Sequence, residues 1–494
     1  MRYRYSRAPV GVAVGGVVAA LLVSCSSDDR SPASVEAALA NRTHSESYSM
    51  CHRSGSSGTE SEVAASEASA RLNRGDYLTK LYVSHDADQP SDGAHFRRIG
   101  DAIAAARAGR LARGETQRAT CRITIDVAAG VYSGDFLDST NTSLEFFPMV
   151  IDVPDITLHG AYVPQLSRNG RPTGMGTSDA ATTISPIEPL AFDALTGASI
   201  GIFTANGHPN GSAGNGLTIE GFVFQSNQAT EGDAGGQGIT GARVENISIL
   251  GNRFEAGFTE SIDLRSSTGV LRRNHLGGTA GSCDLCLAGP GAYEASSNLL
   301  LAGGIPGILV VPSFGLALVS EVEQFISPDR STVVVDLFNN EIHDHLRVPV
   351  GVGIRLGAIG VGSPDVAGLV QARVHDNVLV NNRFGMIVEA AFPVPGTKLK
   401  GDIDATMKDN KFVQSCQTNL LIAFSRHTTV LGLTDFPYLL NSTYRIDLNN
   451  NLKFRDVWYG DPSGFGNKLI IDGQLVPNGA RQFYSADGCP NLGT

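Results

Sequence analysis

The densest run of reactive side chains in the sequence is His343-Asp344-His345-Leu346-Arg347. Arg355, Arg373, His375 and Arg383 follow it closely. Two histidines at i and i+2 of a strand point to one face, an arrangement that suits a metal or a general base. Elimination from a uronic acid needs a neutralised carboxylate and a base for a carbon-bound proton. His343, His345, Asp344 and Arg347 are therefore the expected catalytic group, with Asp344 orienting a histidine. Arg355, Arg373, His375 and Arg383 are the expected substrate contacts. The competing reading is plain: such residues on outward faces pair with a neighbouring strand and stay solvated. Asp402 and Asp404 alternate on a strand and could take Ca2+, but plain solvent exposure is the better reading there, so no resident metal or cofactor is assigned.

The elements that position these residues repeat. One frame recurs: apolar, any, apolar, any, small or polar, Asn, any, apolar. It reads Ile247, Ile249, Gly251, Asn252, Phe254, then Tyr293, Ala295, Ser297, Asn298, Leu300, then Val335, Leu337, Asn339, Asn340, Ile342. Copies at Ala372–Phe412 place Asn377 and Asn410 in the same slot, and weaker copies sit at Asn274 and Asn451. Earlier copies carry Ala161 and Phe222 there. Each copy begins with the period-2 alternation of a strand that has one buried face. No unit can bury that face alone, so copies must stack. Asn tolerates left-handed backbone and its amide can bond the copies above and below, which makes a structural ladder at the ~4.8 Å strand spacing.

This frame resembles the right-handed parallel β-helix of the pectin-lyase-like superfamily over roughly residues 78–455. The entry also fits: Leu81-Tyr82-Val83-Ser84, a helix over Phe96 to about Arg113, then Ile123, Ile125, Val127, Gly130 and Tyr132. Phe96, Ile99, Ala102, Ile103 and Ala106 fall on one helical face, which would cover the open end of the stack. The "V-x-x-G-x-Y" first rung is most similar to that of extracellular β-helix proteins without an assigned activity. The implied fold is all-β, a right-handed parallel β-helix solenoid with an N-terminal cap helix. Signatures of the enzymes in that superfamily are broken or absent. The pectate-lyase Arg-x-Pro-x-x-Arg run begins at Arg347-Val348-Pro349 but meets Val352. The Asn-Thr-Asp, Asp-Asp, Gly-His-Gly set of polygalacturonases and the Asp-Pro-His-Asp element of mannuronan epimerases are missing.

Arg2, Arg4 and Arg7 precede an uncharged apolar run, Val10 to Val23, ending in Leu22-Val23-Ser24-Cys25. The length is that of a signal-peptide core rather than a span. The ending resembles a bacterial lipobox, which implies lipidation at Cys25, anchoring to a membrane, and an outer-membrane address in a host with two membranes. The segments expected are therefore 1–24 signal peptide, 25–75 lipidated Cys and Ser-rich tether, 76–455 β-helix, and 456–494 cap or tail. Six cysteines remain after Cys25, compatible with three disulfides in an exported protein. Cys283-Asp284-Leu285-Cys286 reads as a local disulfide, since neither a second CxxC pair nor a thioredoxin-like unit accompanies it.

The 57 glycines in 494 residues exceed a usual share of about 7%, as a chain of many tight turns requires. The net charge of −11 argues against nucleic acid as a partner. The expected role is a polysaccharide-binding or surface-structural one. A uronate-polymer lyase and an adhesin or protein-contact scaffold are the alternatives.

Overall fold

In a computed structural model, the described residues are 79–85, 94–116, 118–135, 145–176, 180–186, 198–202, 214–226, 235–278, 283–301, 306–312, 332–346, 351–358, 368–390, 400–416, 418–423, 441–449, 457–459 and 466–477. Cys25, its signal and tether, and Arg347 lie outside them. No helix among the described residues is long and apolar enough to cross a membrane.

Alternation along each copy becomes three stacked sheets of fourteen, ten and ten strands. The turn Thr268–Arg272, His275–Leu276, Cys283–Ala288 supplies one strand to the first, second and third sheet in that order. The next turn, Gly291–Ser296, Leu299–Leu301, Pro306–Val311, pairs with it in parallel throughout. The fold is all-β, a right-handed parallel β-helix. Among the described residues the second and third sheets count ten strands each.

Inward positions align in columns. In the first sheet Ile249, Leu271, Ala295, Leu337, Val374 and Met407 stand in one line, all at most 1% exposed. In the second sheet Phe224 lies over Phe254, rings stacked at 4.7 Å. Burying one such side chain stabilises by about 1.5–3 kcal/mol, so one column through the stack outweighs any surface pair.

The corner between the first and second sheets carries the ladder. Asn274, Asn298, Asn340, Asn377 and Asn410 each accept the backbone N–H of the Asn one turn before, at 2.9–3.2 Å. Each donates through Nδ2 to a carbonyl of the preceding turn, as Asn298 does to Leu271 at 2.9 Å. The left-handed residue is not the Asn but the one before it: Gly251, Arg273, Ser297, Asn339, Asp376 and Asp409 have φ between 54° and 61°. That kink turns the following Asn inward, where water cannot compete for its amide.

The cap helix spans Ile99–Ala112. It begins later than its apolar stripe implies, because Phe96 belongs to the short strand His95–Phe96 that pairs with Lys80–Val83. Arg98 gives no side-chain cap. Glu145 takes that role from the first turn, accepting from the N–H groups of Ile99 at 2.5 Å and Gly100 at 3.0 Å. Burial pushes the Glu145 carboxyl up, against the pull of those two bonds. At the far end the first sheet runs past residue 455, through Lys468–Ile471, and closes on the antiparallel strand Gln474–Leu475.

The Gly-rich stretch between the copies at Ile156 and Leu217 holds one rung and an excursion. The excursion is an antiparallel hairpin, Pro164–Leu166 with Pro172–Gly176. It lies along the second sheet: Arg171 reaches Asn339 Oδ1 at 2.8 Å and Glu341 Oε2 at 3.1 Å, and Asn339 donates to the Asn169 carbonyl at 3.0 Å. Gly174 lies over His275, close enough that a Cβ there would sit 3.7 Å from the ring.

Candidate functional site

The structure distributes the 343–383 residues over three faces and the interior. His343 closes the strand Glu341–His343 and bonds Glu341 Oε1 at 2.7 Å on the outside of the second sheet. Asp344 then takes φ 60° and accepts from Asn381 Nδ2 at 2.5 Å. That left-handed residue sends His345 inward, so the two imidazoles do not share a face as their spacing implied. His345 is fully buried. Its Nε2 lies 2.9 Å from Asp284 Oδ2, and its backbone N–H donates to Asn382 Oδ1 at 3.0 Å. Gly307 leaves room for this ring, since a Cβ there would lie 3.0 Å from Nε2.

Arg355 is on the outside of the third sheet, paired with Glu389 at 2.5 Å. Arg373 and His375 are on the outside of the first. His375 bonds Asp336 at 3.1 Å and Asp376 at 2.8 Å and stacks on Phe338. The bond to Asp336 raises the His375 imidazole above its ordinary range, burial opposing, with Asp376 adding to the rise. Arg383 follows the inner corner, donating its N–H to the His345 carbonyl, and burial lowers its guanidinium. Of the expected side chains, those of Arg373 and His375 come together, through Asp336.

A different set converges on the outside of the third sheet. The strand Phe258–Arg265 is buried along nearly its whole length. Its pairing with Gly235–Ala242 and Cys283–Ala288 passes over Ser261, so Glu260 and Asp263 turn to the same side. The amide nitrogen of Gln237, one turn earlier, donates to Glu260 Oε2 and, at 3.3 Å, to Asp263 Oδ2. Sharing one donor places the two carboxylates within about 6 Å of each other. Arg265 holds Asp263 Oδ2 at 2.8 Å through Nε. Burial alone would lower the Arg265 guanidinium; Asp263, with Glu260, more than offsets it and the group is raised.

Asp263 is fully buried, yet among the described residues its Oδ1 has no hydrogen-bond partner, and neither has Gln237 Oε1. Buried polar atoms are satisfied in the great majority of cases, so two orphaned acceptors beside paired acids mark the spot. One turn later Cys283 stands opposite Glu260 and Cys286 opposite Asp263, joined by a disulfide. Cys121 and Cys416 are disulfide-bonded as well.

Glu260, Asp263 and Gln237 were absent from the sequence reading. Two acids three apart on a regular strand face opposite ways, and only the skipped pairing at Ser261 unites them. The one sequence signal is Thr259-Glu260-Ser261-Ile262-Asp263 itself, polar residues in a run without exposed alternation.

No protein-family model matches the chain, and no curated protein matches it. Twelve solved chains do match in structure. They include the A-module of mannuronan C-5 epimerase AlgE6 from Azotobacter vinelandii (14% identity, 82% of this chain and 90% of that one, TM-score 0.37). DFA-IIIase from Arthrobacter chlorophenolicus A6 in complex with GF2 matches at 12% identity over 80% and 95%, TM-score 0.34. The catalytic domain of a GH87 alpha-1,3-glucanase in complex with nigerose matches at 11% identity over 81% of this chain and 66% of that one, TM-score 0.30.

Proposed function

We propose that the chain is an exported, lipid-anchored β-helix that engages polysaccharide on the outside of its third sheet, with Glu260 and Asp263 as an acid–base pair at a glycosidic bond. The observation that carries this reading is the single amide of Gln237 bonding both carboxylates while Asp263 Oδ1 stays buried and unpartnered. A carboxylate separation of about 5–5.5 Å serves a nucleophile-and-acid pair and about 6.5–9.5 Å leaves room for a water between them; this pair lies toward the shorter end. Arg265 fixes a positive charge beside Asp263, while Glu260, 7% exposed, is the member that an incoming oxygen meets first. The long stacked sheet suits a polymer lying across successive turns.

The test is turnover of a polysaccharide panel by the full chain in detergent, read both as new reducing ends and as ultraviolet absorbance of unsaturated products. Glu260→Gln and Asp263→Asn should each lower reducing-end release by about 10²-fold or more. Unsaturated products unaffected by either variant would refute the acid pair and return the lyase reading. Binding without turnover in any variant would leave a binding protein. For the anchor, Cys25→Ala should move the protein from the membrane fraction to the soluble one; undiminished membrane association would refute lipidation.

A further inference from the structure

We infer that Cys283 and Cys286, once their disulfide is reduced, form with Glu260 a binding site for a thiophilic divalent cation such as Zn2+. One donor atom from each of the three residues lies within 4.8 Å of the other two. A tetrahedral cation with bonds of about 2.3 Å to sulfur and 2.0–2.2 Å to oxygen spaces its donors by about 3.5–3.8 Å, so the two sulfurs, bonded to each other in the disulfide, must part on reduction while the Glu260 oxygen is already within reach. The three sit on two paired strands: Glu260 stands opposite Cys283 and Asp263 opposite Cys286, and the disulfide places both sulfurs on one side. Both cysteines are fully buried, so the thiolates would be held dry against the strand. Gln237 already orients the Glu260 carboxylate, which is the supporting bond that metal-ligating side chains need. The set has three protein donors and leaves a fourth position open.

The chemistry balances with a dithiol as reductant. Its thiolate attacks one sulfur of the Cys283–Cys286 bond, its second thiol resolves the mixed disulfide, and it leaves as its own disulfide. Two protons pass to the cysteines, and the cation displaces them to solvent on binding. Cation and disulfide are mutually exclusive on the same sulfurs. The consequence for activity rests on the acid-pair reading above: a cation on Glu260 removes that carboxyl from glycan chemistry, so the oxidised chain is the active one. The cation site itself does not depend on that reading.

The probe is Co2+. The full chain in detergent is reduced anaerobically with a phosphine, desalted, and titrated. The expected result is one Co2+ per chain with a thiolate-to-cobalt absorption band that Zn2+ abolishes and the oxidised chain lacks. Cys283→Ser/Cys286→Ser should lose the band, a needed reference because reduction also frees Cys121 and Cys416. Glu260→Gln, which keeps both thiols, should weaken binding at least tenfold. An unchanged band in the double variant, or undiminished affinity in Glu260→Gln, would overturn the proposal, and the second reading suffices alone if the double variant does not fold. Reduced chain that takes no Co2+ sinks the cation site while leaving glycan turnover by the oxidised chain to be judged separately.

Discussion

A single ladder amide does more than its size suggests. Asn298 satisfies the Asn274 N–H and the Leu271 carbonyl, and it receives nothing from water. Asn298→Ala would orphan both groups, at roughly 1–3 kcal/mol each before relaxation, while the Asn274 side-chain amide keeps its bond to the Ile249 carbonyl. The expected outcome is a urea midpoint lowered by several kcal/mol equivalents of stability, while Arg273→Gly, at the left-handed position next to Asn274, should cost far less because Gly adopts φ 59° without strain. Equal losses in the two variants would overturn the ladder amide as the larger contributor. The ladder was legible because its residue type and spacing recur. Which residue takes the left-handed turn was not: Arg273, Ser297, Asn339, Asp376 and Asp409 share a φ but no side-chain chemistry. The acid pair was illegible for the related reason that one skipped pairing, at Ser261, decides which way Glu260 points.

Among the elements, the hairpin across the second sheet is the one held from outside the repeat. Its latch is Arg171 on Asn339 and Glu341, and beneath it His275 is buried with neither ring nitrogen bonded among the described residues. Burial, then the neighbouring Arg253 charge, pushes the His275 imidazole down to about 4. An unfolded or lifted state binds the proton near pH 6.5. The contribution is therefore complete above about pH 6.5 and is lost as pH falls toward about 4, on the order of 3 kcal/mol in all. Limited proteolysis of the hairpin should accelerate over that window, and Arg171→Ala should bring the acceleration to higher pH. Cleavage insensitive to pH in both chains would show that the hairpin is not lifted by protonating His275. Nothing local in the sequence says where this hairpin lands; its partners are some 170 residues away.

For the molecule as a whole, the two ends of the stack are its exposed strand edges. The cap helix covers one with Ile99, Ala102, Ile103 and Ala106, and the strand Gln474–Leu475 folds back on the other. Ile103→Asp should loosen the cap and bare a pairing edge. Light scattering on the eluting protein should then show end-to-end species larger than those of the parent chain; an unchanged mass would mean the edge stays covered. Length and glycine content pointed to one long solenoid, and the frame made its interior readable, because one-dimensional stacking turns core design into a repeated choice. The ladder gives that dimension a direction. Every Asn bonds back toward the amino terminus, so each turn is completed only by the turn that follows it. A chain crossing a membrane amino end first would carry one unfinished corner at its growing tip and close it with each new rung, while the hairpin latch of Arg171 would wait for residues some 170 further on.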